Sequence, residues 1–256
     1  MKRSDLSGCF ASLATAALIF FWAIPSFALE STLFEQANEK YRAADFQSAA
    51  DLYQKALRTS PATSAVYYNL GNTLLRLGRK GEALLYYKRA LKVSPRDMDL
   101  QWNIRVLQSS LPDRIEESSL NLPSLLLRNV TDRWTLTEIG FLFTAALALL
   151  ALLALLDYAL PSLRAVSGFL RPLAFVALLA SAVLFGFQVW DTKDPTAVIL
   201  DKEVSAYYGP SDKEAKAFVL HEGAEGRLLD SSGDWVYIAL RNKNTGWIRK
   251  NSCEIV

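Results

Sequence analysis

Ile139–Leu156, IGFLFTAALALLALLALL, is the stretch whose reading decides the architecture, and Pro172–Trp190, PLAFVALLASAVLFGFQVW, repeats its message. Neither run holds a charge. Thr144 is the most polar residue of the first; Ser181 and Gln188 are the clear polar residues of the second. At helical rise each covers about 27 to 29 Å, the thickness of a bilayer's hydrocarbon core. The expectation is a transmembrane hairpin with helices over 139–156 and 172–190, joined by a loop over 157–171. Trp134, Tyr158 and Trp190 stand at the ends of the runs, where amphipathic rings favour the headgroup level. A buried helical hairpin in a soluble protein is the competing reading. It would need a large surrounding core, which the flanking segments do not offer.

Two crossings return the chain to its starting side, so the segments before Trp134 and after Trp190 share one compartment. Residues 1–28 decide which. Lys2 and Arg3 precede the apolar CFASLATAALIFFWAI, and Pro25-Ser26-Phe27-Ala28 puts small residues ahead of a cut after Ala28. That is the layout of a secretory signal. Both flanking segments are therefore expected in the periplasm of a bacterial inner-membrane protein. The loop, with Arg164 and Arg171, is expected in the cytoplasm. Left uncut, the signal becomes a third span and the sidedness is unchanged. Leu6-Ser7-Gly8-Cys9 imitates a lipoprotein cleavage box, but its apolar stretch follows Cys9 instead of preceding it.

The 256 residues leave room for two small modules beside the hairpin, and a net charge of +2 argues against nucleic acid as a partner. One histidine and two cysteines are too few for a zinc site or a disulfide framework. His221 is the sole histidine that a catalytic triad could use. It is separated from Cys253, with no glycine-rich oxyanion motif beside either. No cofactor, metal site or enzymatic activity is expected.

Before the hairpin lies a repeat. Pro61 and Pro95 stand 34 residues apart, and Ala37, Ala49 and Ala56 fall in register with Gly71, Ala83 and Ala90. Tyr53 matches Tyr87, and Phe34 or Leu33 matches Tyr67 and Tyr68. Small residues at these steps let two antiparallel helices approach closely around aromatic knobs. Proline ends each second helix because it lacks the amide donor. Gly78 occupies the turn of the second unit, and Ala44 replaces it in the first. A third helix, Met98–Leu111, starts in the same register and is expected to cap the stack. The pattern resembles the tetratricopeptide repeat, an α-helical solenoid, over residues 29–112.

That resemblance implies a peptide or protein partner in the groove made by the first helix of each pair. It places Asn38, Tyr41, Arg42, Asn72, Arg76 and Trp102 there. Asn38 and Asn69 also fit the family's carboxylate clamp, but Phe34, Asp99 and Asn103 stand where cations are required, so a clamp is not expected. Between Gly71 and Arg96, Arg76, Arg79, Lys80, Lys88, Arg89, Lys92 and Arg96 face the single acid Glu82. Such a surface suits an acidic partner or anionic headgroups. Residues 113–138 form a linker, in which Leu122–Val130 is short and apolar enough to lie along a membrane surface.

After residue 195 the composition changes to strands: Ala197–Leu200, Val204–Tyr208, Ala217–Leu220, Gly226–Leu229, Trp235–Leu240 and Gly246–Arg249. Turn signals separate them, and the spacing suggests a small all-β barrel over 195–256. Gly209-Pro210-Ser211, Gly223, Gly233-Asp234-Trp235 and Gly246-Trp247 follow in an order that resembles the bacterial SH3 domain. The resemblance implies a groove near Tyr207, Tyr208 and Trp235, with Trp247 in the core, and ligands among wall peptides or protein segments.

Taken together, the order of signal, repeats, paired spans and C-terminal barrel is similar to the E-type member of the Bat (aerotolerance operon) family. That resemblance implies a non-enzymatic scaffold in a stress-tolerance or envelope complex, beside membrane proteins with von Willebrand A domains. The rival expectation is a cell-wall protein whose barrel holds peptidoglycan.

Overall fold

A computed structural model describes residues 32–59, 63–113, 130, 133–160, 162, 164–191 and 195–256. The signal segment, Pro61 and most of the 113–138 linker lie outside the described residues.

The helical repeats begin with α1 over 32–42, followed by α2 (Phe46–Thr59), α3 (Ser64–Arg76), α4 (Lys80–Val93) and α5 (Met98–Ser109). The 34-residue register is a packing register. Ala37, Ala49, Tyr53, Ala56, Ala83, Tyr87 and Ala90 are all buried, as is Gly71. A Cβ placed on Gly71 would lie 2.6 Å from the Tyr87 ring, so the small residue is what admits the aromatic. Both intra-repeat turns need a left-handed residue: φ is 78° at Gly78 and 59° at Ala44. Thr63 caps α3 by accepting from the Val66 amide, and Asp97 caps α5 through the Leu100 amide. Leu100, Ile104 and Leu107 turn one face of α5 into the shared core, which is how it closes the stack.

The apolar hairpin is α6 (Leu136–Ala159) and α7 (Arg164–Asp191). Thr135 and Glu138 form a reciprocal capping box at its start. Both helices outrun the apolar stretches that announced them. α6 runs on to Ala159 and α7 begins at Arg164, both inside the loop expected over 157–171, and Pro172 sits inside α7 rather than at its head. α6 passes its apolar run by three residues, and α7 starts about two turns ahead of its own. Those turns hold the polar lock of the hairpin. Arg171 pairs with Asp157 at 2.5 Å, and Ser167 donates to the same carboxylate.

The seam between the two helices has a heptad spacing. Ile139, Ala146 and Leu153 are the buried residues of α6, and Ser167, Ala174 and Ser181 are buried on α7. The α7 set is all small, facing Ile139 and Leu153 with Ala146 between them on α6, a spacing that suits left-handed packing. The outward faces are apolar and open: Phe141 is 70% exposed, Phe169 76% and Val176 61%. Both helices are long and apolar enough to cross a membrane.

The C-terminal region is one antiparallel sheet. Its strands are β1 (Thr196–Ile199), β2 (Glu203–Tyr207), β3 (Lys216–His221), β4 (Glu225–Ser232), β5 (Trp235–Leu240), β6 (Thr245–Arg249) and β7 (Cys253–Ile255), in spatial order β3-β2-β6-β5-β4-β1-β7. The first six lie where alternation and turn residues put them. β7 is an addition, too short to show a period of two. Val204, Ala206, Leu220, Val236, Ile238, Leu240 and Ile248 form the inner face.

Repeats and sheet are packed on each other. Val198 of β1 is buried in the helical core, with Leu200 and Val256 against it.

Candidate binding surfaces

The groove residues named from the repeat pattern divide into two kinds. Asn38 and Asn72 are 34 residues apart and do the same internal job. Asn38 Oδ1 accepts from the Tyr53 hydroxyl at 2.6 Å, and Asn72 Oδ1 accepts from the Tyr87 hydroxyl at 2.6 Å. Asn69 Nδ2 also donates to Asn38 Oδ1, at 3.0 Å. These carboxamides satisfy buried phenols and hold the two helices of each pair in register. Burial drives the Tyr53 phenol up to about 12 and the Tyr87 phenol higher still, so both remain protonated donors. Tyr41 packs edge-on against Phe46, with ring centroids 5.4 Å apart. Arg42 and Arg76, again 34 residues apart, are exposed, and Arg42 Nε donates to the Asn38 carbonyl. Trp102 is 61% exposed under the Arg105 guanidinium, which lies 5.7 Å from its ring centre.

On the sheet, Tyr207, Trp247 and Tyr237 are cross-strand neighbours on β2, β6 and β5. Trp247 and Tyr237 stack with centroids 5.0 Å apart, and the Tyr237 hydroxyl donates to Thr245 Oγ1. Trp247 therefore belongs to the outer face and not to the core expected for it. Alternation admits only one of two neighbours inward, and Ile248, fully buried, takes that place. A register shift between Ala206 and Tyr207 aims Tyr207 edge-on at Trp235, 5.6 Å away. Arg249 covers the other part of Trp235 at 4.4 Å and pairs with Asp212. Trp235 is thus shielded, while Tyr208 is 71% exposed. Beside this row is an open cavity of about 530 Å³ lined by Asp234, Arg249, Lys250 and Asn251.

The third surface joins the two modules and has no local signature in the chain. The Gly81 amide donates to Glu222 Oε1 at 2.7 Å. A Cβ there would stand 2.5 Å from the Ile199 carbonyl oxygen, so only glycine lets α4 approach β1. Lys88 pairs with Glu225 at 2.5 Å, and Gln108 donates to the other oxygen of that carboxylate. Arg89 reaches Glu254 and the Ile255 carbonyl, both at 2.7 Å; Lys92 donates to the Val256 carbonyl at 2.8 Å. Part of the basic face of the second repeat therefore has its acidic partner within the chain. Arg79 pairs with Glu82, and Arg96 with Glu138.

His221 lies in this seam. Asp113 accepts from its amide at 2.7 Å and holds its Nδ1 at 2.8 Å, so an orienting acid exists 108 residues away. The Cys253 thiol donates instead to the Lys250 carbonyl, and burial pushes it up to about 11, well out of the nucleophilic range. Among the described residues no group of three or more metal-ligating side chains gathers.

With this geometry in place, sequence comparison adds one finding: the family model of the tetratricopeptide repeat matches residues 34–98, both helical pairs up to the start of α5. The chain thus contains a tetratricopeptide module of the kind that mediates protein–protein interaction. No curated protein matches the chain.

Proposed function

We propose that this protein is a non-enzymatic inner-membrane scaffold. In this reading the α6–α7 hairpin anchors it, and the repeats and an SH3-like sheet face the periplasm together. The observation that carries the reading is the docked seam Gly81–Glu222, Lys88–Glu225 and Arg89–Glu254, which requires the modules on either side of the hairpin to share one compartment. An even number of crossings provides that. The outer surfaces left by the docking are the Arg42–Arg76 side of the repeats, for a protein or peptide, and the aromatic row of the sheet. Bat-type membrane proteins with von Willebrand A domains are the partners that the domain order suggests.

In a bacterial host carrying the full chain, protease added to sealed spheroplasts should cut both modules. Protection of either removes the topology. Partners co-purifying from solubilised membranes should be lost with Arg42→Ala and Arg76→Ala combined, substitutions at exposed sites that leave the Tyr–Asn bonds intact. Unchanged recovery removes the groove.

A second reading, attachment to peptidoglycan, draws on the Tyr207–Trp247–Tyr237 row, whose flat faces suit a sugar ring. Retention of the solubilised chain on purified sacculi, lost with Trp247→Ala, would favour it over the scaffold.

A further inference from the structure

One apolar surface of the repeats takes no part in the seam with the sheet. Met98, Trp102 and Val106 recur every fourth residue along α5, opposite its buried Leu100, Ile104 and Leu107. They are 68%, 61% and 49% exposed. The position of this stripe is fixed by Arg96, two residues before α5. Its guanidinium pairs with Glu138, in the first turn of α6, and lies 5.2 Å from the centre of the Trp134 ring. Gln188 of α7 donates to the Trp134 carbonyl at 2.9 Å, so the same point is tied to the end of the second helix as well. The head of α5 therefore sits at the mouth of the hairpin.

We propose that the exposed face of α5 rests in the boundary layer between phospholipid headgroups and acyl chains. The proposal depends on the hairpin spanning a bilayer. Trp102 is one turn beyond Met98, about 6 Å along the axis, so it stays within the depth of the headgroup layer even if α5 stands upright. Val106, about 12 Å along, enters that layer only if α5 lies flat. Trp102 beneath Arg105 has the character that boundary requires: a broad apolar ring with a cation at its polar side. Asp97 and Asp99 offset Arg96 and Arg105 locally, so the contact is apolar rather than electrostatic and needs no anionic lipid. Trp102 then serves the membrane and leaves the peptide groove.

The test uses the full chain, with Cys9→Ser and Cys253→Ser, in phosphatidylcholine nanodiscs. Single spin labels are placed at Met98→Cys, at Val176→Cys on the hairpin and at Gln47→Cys on α2. Collision with oxygen is compared with collision with a water-soluble nickel chelate. The Met98 label should show an oxygen-to-nickel ratio at least about threefold above the Gln47 label. Trp102→Glu should bring it down to the Gln47 value, and anionic lipid should not raise it. If Met98 matches Gln47 while Val176 is lipid-exposed, the hairpin reading stands and this inference fails. If Val176 is water-exposed too, both fail. A Met98 label shielded from both probes means that protein covers the face, and the lipid assignment is overturned.

Discussion

The first and second repeats share the small residues and the Tyr–Asn bond of their interior and differ on the outside, and the difference decides where the sheet can sit. Inside, Ala37 and Gly71, Tyr53 and Tyr87, Asn38 and Asn72 superpose in one 34-residue register, down to the same Tyr-to-Asn bond of 2.6 Å. Outside, the register pairs Gln47 with Gly81, Gln54 with Lys88, Lys55 with Arg89 and Arg58 with Lys92. The sheet docks on the second set alone. A repeat is thus a common interior with an interchangeable exterior, and Gly81 supplies the clearance that the docked copy gives the sheet.

The largest effect should come from giving the second repeat the outer residue of the first. Gly81→Gln drives a side chain into the Ile199 carbonyl oxygen and should undock the sheet outright. New protease cuts around Glu222, or a larger radius of gyration in solution scattering, would show it, and an unchanged profile would sink the account. Next in size, Lys88→Gln leaves Glu225 with Gln108 and Arg241 but without its closest cation, on side chains only 19% and 11% exposed. A loss of about 1 to 3 kcal/mol in urea unfolding is expected, with the reverse Gln54→Lys nearly neutral.

The shared interior can be split as well. Tyr87→Phe strips the phenolic donor from Asn72 and should cost about 1 to 2 kcal/mol, whereas Tyr53→Phe leaves Asn38 with Asn69 and should cost about half as much. Equal losses would mean that Asn69 contributes nothing. Both phenols have folded pKa values above their unfolded 10.0. Their contribution is complete below pH 10 and disappears as pH rises through about 12 and beyond for Tyr53 and then Tyr87. An alkaline titration followed by helical circular dichroism should show that loss, delayed in the double phenylalanine variant.

The smallest expected effect is at the turns. Ala44→Gly should stabilise by about 0.5 kcal/mol, and Gly78→Ala should destabilise by about the same amount, because the strain of an alanine at positive φ is partly offset by the greater unfolded-state freedom of glycine.

What could be read from the sequence follows from how local each signal is. Ala37, Gly71 and Tyr87 repeat within a window that one helical pair fills, so register and burial were visible together. Alternation along Trp235–Leu240 likewise announced a strand with one inner face. The seam was not visible, because Gly81 and Glu222 are 141 residues apart and nothing near either names the other. Asp113 and His221, 108 apart, were missed for the same reason. Trp247 faces outward because it alternates with the buried Ile248, a parity that the Gly-Trp pattern by itself does not carry. The groove asparagines could be located but not interpreted, since a carboxamide facing a ligand and one facing a tyrosine have the same spacing.

The Lys88–Glu225 contact spans 137 residues, and both apolar helices lie within that interval. A ribosome delivers the repeats first, then the hairpin, and the strands last. Gly81, Lys88 and Arg89 are thus made before their partners exist, and the seam can close only after both apolar helices have left the ribosome.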